Sequence, residues 1–165
     1  MSSYHKESLK SALLIAVCCA VIGVALFGLG RMIQILVWNA RVHDFRLAMA
    51  DSMRYAEDNN AMHITVNDDE PLWIRFNEVG GIHHYLVNYP RALPAARAKP
   101  GGSTAAIDCG DGSTLRLYDA GERRIWLYYR TPDGRIYRAT LQYQTKYDGW
   151  DAFLRIVYGE SRPGG

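Results

Sequence analysis

The chain has 165 residues, 19 of them basic and 17 acidic, and it carries three cysteines. That length suits one ordinary domain with its own core. Such near-balance of charge argues against a dedicated nucleic-acid surface and against a polybasic lipid patch, both of which need a basic excess.

Residues 1–10 read as an N-terminal tail carrying Lys6, Glu7 and Lys10. From Ala12 to Gly30 no charged residue occurs. At ~1.5 Å per residue that run nearly matches the ~30 Å hydrocarbon layer of a bilayer. The apolar character resumes after Arg31 with MIQILVW, so the predicted transmembrane helix covers residues 11–38. Its length exceeds the apolar core of about 7–15 residues in a cleaved signal peptide. A lipoprotein reading would use Cys18, but bulky Val17 precedes it and apolar sequence follows it. The expectation is an uncleaved signal-anchor and a single-pass membrane protein.

Lys6 and Lys10 lie before the span, whereas Arg31, Arg41 and Arg46 lie within or just after it. That count slightly opposes an exported domain. Snorkelling of Arg31 toward the interface and an aromatic-rich domain composition point the other way, to an extracytoplasmic location.

Residues 39–60 continue the helix with a different character. Val42, Phe45, Met49, Met53 and Ala56 recur every three or four positions, the spacing of one apolar stripe on an amphipathic helix. Asn59-Asn60 supplies a stop signal. The predicted cover for the stripe is the domain that follows.

Residues 61–158 read as an antiparallel β-rich domain. Short runs alternate with turn chemistry: 62–66, 72–76, 82–89, 106–109, 114–118, 123–130 and 135–143. This predicts about seven strands, with NDDEP, NEVGG, GDGS, DAGE and TPDG as turns. Residues 90–104, rich in Pro and Gly, form the long loop. Residues 148–158 predict a short helix capped by Asp148 or Asp151, and 159–165 a disordered tail. The fold class is α+β.

No catalytic, cofactor-binding or metal-binding residues are assigned. His83 and His84, on a strand, would face opposite ways and could not easily share one ion; His63 could face one of them across neighbouring strands, but no Cys or acidic residue has ligand spacing beside them. Cys109, the lone thiol of the domain, has no base or oxyanion donor at a readable spacing. The segment Asp108–Gly112 lacks the ligand pattern of a calcium loop and reads as a turn. By contrast, Trp126, Tyr128, Arg130 and Tyr137 come from two hairpin-linked strands and form the candidate partner-binding patch, with the residue types that interfaces favour.

A long helix leaving the membrane and entering an antiparallel sheet resembles the architecture of type IV pilins and pseudopilins. Their motif, Glu at the fifth position after a leader ending in Gly, is absent, because no acidic residue lies between Lys10 and Arg31. The function expected is that of a non-catalytic, membrane-anchored interaction protein, such as an accessory component of a cell-envelope or secretion assembly. Its partners are the bilayer, through residues 11–38, and a protein, with self-association as an option and no nucleic acid. A membrane-tethered small-ligand or lipid-binding β-barrel of PH-like type is the alternative, and an enzyme the third reading.

Overall fold

In a computed structural model of the chain, residues 2–95, 102–121, 123–144 and 149–159 are described. One helix, α1 (Ser2–Asn59), takes up the first third of the chain. It begins at Ser2, so the helix runs through the segment expected as a separate tail. The chain divides into two compact units, Met1–Arg41 and Val42–Gly165.

From Leu13 to Val37 the apolar side chains of the first unit have no protein cover. Leu13 through Val37 stay exposed, Phe27 by 72%. The helix is long and apolar enough to cross a membrane, and its most apolar window is wholly unburied.

The second unit opens with the amphipathic end of α1. Phe45, Met49, Met53 and Ala56 are buried there, as the sequence spacing predicts. Burying a large apolar side chain contributes about 1.5–3 kcal/mol, so the stripe is a major part of this core. Asn60, with φ of 48°, ends the helix. The Asn60 N–H donates to Glu57 O, and the Ala61 N–H donates to Ala56 O. This pair of bonds satisfies carbonyls that the last helical turn would otherwise leave open.

Seven strands follow in one antiparallel sheet: β1 (His63–Val66), β2 (Leu72–Trp73), β3 (Arg91–Pro94), β4 (Thr104–Asp108), β5 (Thr114–Asp119), β6 (Arg124–Arg130) and β7 (Ile136–Gln142). Their order is β2-β1-β4-β5-β6-β7-β3, so β2 and β3 are open edges. An open sheet replaces the closed barrel weighed as an alternative. Ile64, Ile107, Leu115, Leu117, Leu127, Tyr129 and Leu141 point to the inner face, where they share one core with the stripe of α1.

The strand count agrees with the sequence reading, but one member differs. Residues 82–89 are not a strand. They continue α2 (Phe76–His83) into a π-helical turn, His84–Asn88. Val79, Ile82 and Leu86 are buried at intervals of three and four, a helical spacing that a short apolar run conceals. The π turn then brings Tyr85 and Val87 into the core beside Leu86. Gly80 and Gly81, read as a turn, lie inside α2. A Cβ at Gly81 would stand 3.9 Å from Ile156 of α3 (Trp150–Tyr158), which packs alongside.

The seventh strand is instead β3, within the segment expected as loop. Its Pro94 sits on an edge strand, the position in a sheet that tolerates a missing N–H. Strand β2 also stops at Trp73, well short of residue 76.

Asp151 lies inside the first turn of helix α3, not at its N-cap. Gly149, with φ of 100°, is its N-cap residue, and Asp148 lies outside the described residues. The buried Tyr85 hydroxyl accepts from Gly149 N at 2.7 Å and donates to Gly149 O at 2.8 Å. Tyr85 also stacks on Tyr143, with ring centroids 4.6 Å apart.

Phe45 meets Tyr129 edge-on at 6.2 Å and Tyr137 at 5.9 Å. Phe45→Ala is expected to destabilise the domain by about 3–5 kcal/mol, as core aromatic truncations do. Denaturant unfolding of the full chain in detergent checks this, and a change within ±0.5 kcal/mol would mean that the stripe does not pack on the sheet.

Candidate functional site

Strand alternation assigns the outer face of the sheet. The register lines up Thr65, Ala106, Arg116, Tyr128 and Arg138 in one row across β1, β4, β5, β6 and β7. A second row runs through Thr104, Tyr118, Trp126, Thr140 and Leu93. Arg130 lies between Thr114 and Ile136, and Arg124 beside Gln142, which also pairs with Arg91. Five exposed arginines therefore share this face: 91, 116, 124, 130 and 138.

The candidate patch divides between the two faces. Tyr128 and Arg130 are on the outer face, the first half-buried and the second exposed. Trp126 is on the same face but only 7% exposed, packed edge-on against Tyr118 at 5.2 Å. Tyr137 is on the inner face. The register pairs it with Tyr129, on which it stacks at 6.3 Å, so it packs beneath the sheet instead of joining Tyr128. In its place stand Arg116 and Arg138, which sequence reading missed. The Arg138 guanidinium lies over the Tyr128 ring, 5.8 Å from its centroid. The length of the β6–β7 turn sets this register, and counting it from the sequence would have separated Tyr137 from Tyr128.

Two ion pairs are present among the described residues, His63–Asp108 and Arg135–Asp133. Neither uses an arginine of the outer face. Among the described residues of the outer face, Asp108 is the one carboxylate on a strand, and His63 engages it at 3.5 Å, with the Trp73 ring 5.2 Å from the imidazole.

A second polar cluster lies on the other side, where α1 meets the sheet. Ser52, buried within the helix stripe, donates to Asp111 and stands 2.8 Å from the Tyr129 hydroxyl. The Tyr129 hydroxyl in turn donates to Ala48 O at 2.9 Å, and Ser113 N donates to Asp111 at 2.9 Å. These groups border an open groove of about 370 Å³, also lined by Asp51, Tyr55, Asp133 and Arg135.

Burial works against ionisation of Asp111, but hydrogen bonding from Ser113 and Ser52 outweighs it and holds the carboxyl below its ordinary range. Burial pushes the Tyr129 hydroxyl up to about 12 and the Cys109 thiol likewise to about 12. Both therefore keep their protons at neutral pH, and Cys109 offers no thiolate for attack. With Ser52 hydrogen-bonded to a carboxylate and no imidazole among these contacts, the cluster serves to satisfy polar groups where the helix meets the sheet.

The histidines do not gather. His63 is on β1, and His83 and His84 follow one another at the end of α2 and the start of the π turn, a helical placement that replaces the strand reading. Among the described residues no set of three or more His, Cys, Asp or Glu side chains could hold a metal ion.

No family model, curated protein or solved structure matches the chain.

Acid sensitivity follows from two of these groups. Burial leads the causes that lower His83, opposed by Glu57 and reinforced by His84 and Arg54. The unfolded chain then takes up the proton first, so this contribution is whole above the ordinary value of 6.5 and is lost as pH falls through the lower folded value. Asp111 acts in the same direction further down, below the ordinary carboxyl value of 3.8. Chemical denaturation across pH 4–8 is expected to show stability falling on the acid side of neutrality, with His83→Gln flattening the limb below the ordinary histidine value. A limb unchanged in that variant would remove His83 as its origin.

Proposed function

We propose that the chain is a single-pass, membrane-anchored interaction protein whose outer sheet face is its binding surface. The observation that carries this reading is the row Arg116–Tyr128–Arg138, an aromatic ring between guanidinium groups that no ion pair engages among the described residues. Arg and Tyr are the residue types on which binding energy concentrates. The anchor half of the proposal rests on the exposed apolar surface from Leu13 to Val37.

The domain is placed outside the cytoplasm, as an accessory part of an envelope or secretion assembly. Its aromatic content supports that side, and Arg31, Arg41 and Arg46 weigh against it. A tag appended after Gly165 is expected to be digested by protease added to intact cells. Protection in intact cells, with digestion after lysis, would reverse the orientation. Alkaline carbonate should leave the full-length chain in the membrane pellet, and release of a soluble species lacking the first ~30 residues would end the anchor reading.

The binding reading separates from a catalytic one by mutation. Tyr128→Ala should cost about 2 kcal/mol or more of partner affinity, the loss typical of an interface anchor. Cys109→Ser, His83→Ala and His84→Ala should leave partner binding intact in correctly folded protein. Loss of activity in any of those three, with Tyr128→Ala neutral, would favour a catalytic or metal-dependent function.

A further inference from the structure

The soluble part of the chain has 16 basic and 16 acidic residues after Trp38, since Lys6, Lys10, Arg31 and Glu7 account for the rest of the 19 and 17. The fold does not spread these charges evenly. The outer rows of the sheet hold five exposed arginines, and the carboxylate among them, Asp108, stands at the β1–β4 end beside His63. Two acidic clusters among the described residues lie elsewhere: Asp68, Asp69 and Glu70 are exposed in the turn before β2, and Asp51, Asp111 and Asp133 border the groove beside α1.

Arg116 and Arg138 stand one strand away from Tyr128 on either side, which puts them roughly 10 Å apart at the usual strand spacing. Arg130 is two residues along from Tyr128 on β6, roughly 7 Å away. A planar guanidinium pairs with a carboxylate through two parallel hydrogen bonds, which a lysine cannot reproduce. The aromatic rings between the arginines are already engaged. Arg138 lies over Tyr128, and Trp126 packs against Tyr118 with little exposure. That leaves poor footing for stacked bases, which single-stranded nucleic acid would need. Trp73, 70% exposed and paired with His63, and Ile136, 52% exposed and paired with Arg130, add apolar contact of the kind protein interfaces use.

We infer that the outer face, with Arg116, Arg130 and Arg138 around Tyr128, docks a carboxylate-rich protein surface. This rests on the reading of that face as the binding surface and names the chemistry of its partner. Carboxylates of the partner pair with the guanidinium groups, and affinity falls as salt rises.

The test uses the full chain in nanodiscs of zwitterionic lipid. Fluorescent poly-L-glutamate is the probe, with an oligo-dT strand and phosphatidylglycerol vesicles as rival anions. Poly-L-glutamate is expected to bind more tightly than either rival. The double variant R116Q/R138Q should weaken it by about tenfold or more, and R116K/R138K should restore it only in part. Arg54→Gln, an exposed arginine on α1 away from the face, should leave binding unchanged. Equal circular dichroism and melting curves establish that the variants fold. Tighter binding of oligo-dT or of the vesicles would overturn the inference in favour of that anion. Absence of poly-L-glutamate binding, or an equal loss in Arg54→Gln, would also overturn it. Those failures leave the face as a binding surface intact if Tyr128→Ala still abolishes capture of a partner.

Discussion

The structure of the second unit depends on the burial of one helical stripe. Phe45, Met49, Met53 and Ala56 cover the inner face of a sheet whose Leu115, Leu117, Leu127 and Leu141 would otherwise meet water. An open antiparallel sheet needs such a cover on at least one side. The price of this arrangement is polar: Ser52 lies in the same stripe and is buried with it. Its hydroxyl bonds to Asp111 and lies against Tyr129, and Tyr129 reaches the Ala48 carbonyl, so that the helix and the sheet share one satisfied network. Removing either partner would leave a buried polar group unpaired, which costs more than the bond itself contributes.

Covering the inner face also decides which groups are left outside. Helices α1 and α3 and the α2–π segment all supply side chains to the core, along with the inner-facing strand residues. The alternating residues of the strands then turn away from it. Arginines at alternate strand positions become a surface with local positive charge, although the domain as a whole is neutral. Net charge from composition could not reveal this, because it averages the arginine rows with acidic turns such as Asp68–Glu70. The sheet register does the sorting.

Much of the fold was legible in the sequence, and the misreadings have definite causes. The three- and four-residue spacing from Val42 to Ala56 identified the buried helix face, and Asn59-Asn60 its end. Turns with glycines at positive φ, such as Gly110, Gly112, Gly121 and Gly134, marked the hairpin ends. Residues 82–89 misled because a short apolar run suits a strand or a buried helix equally well, and the π turn blurs the usual period further. Strand β3 was hidden by Pro90 before it and Pro94 within it, and by a partner, β7, lying some fifty residues ahead in the chain. The candidate site was legible only in part. Tyr128 and Arg130 were named, yet Tyr137 belongs to the core, and Arg116 and Arg138 emerge only when three strands are set in register.

The measurement that bears most directly on the account is photo-crosslinking from single positions of the full chain in its native membrane. A photoreactive residue replacing Tyr128 reports from the outer face, and one replacing the exposed Tyr55 reports from the groove beside α1. The account predicts a discrete crosslinked protein from Tyr128 and none from Tyr55. Crosslinks from Tyr55 alone would contradict it and move the functional surface to the groove lined by Ser52, Asp111 and Arg135.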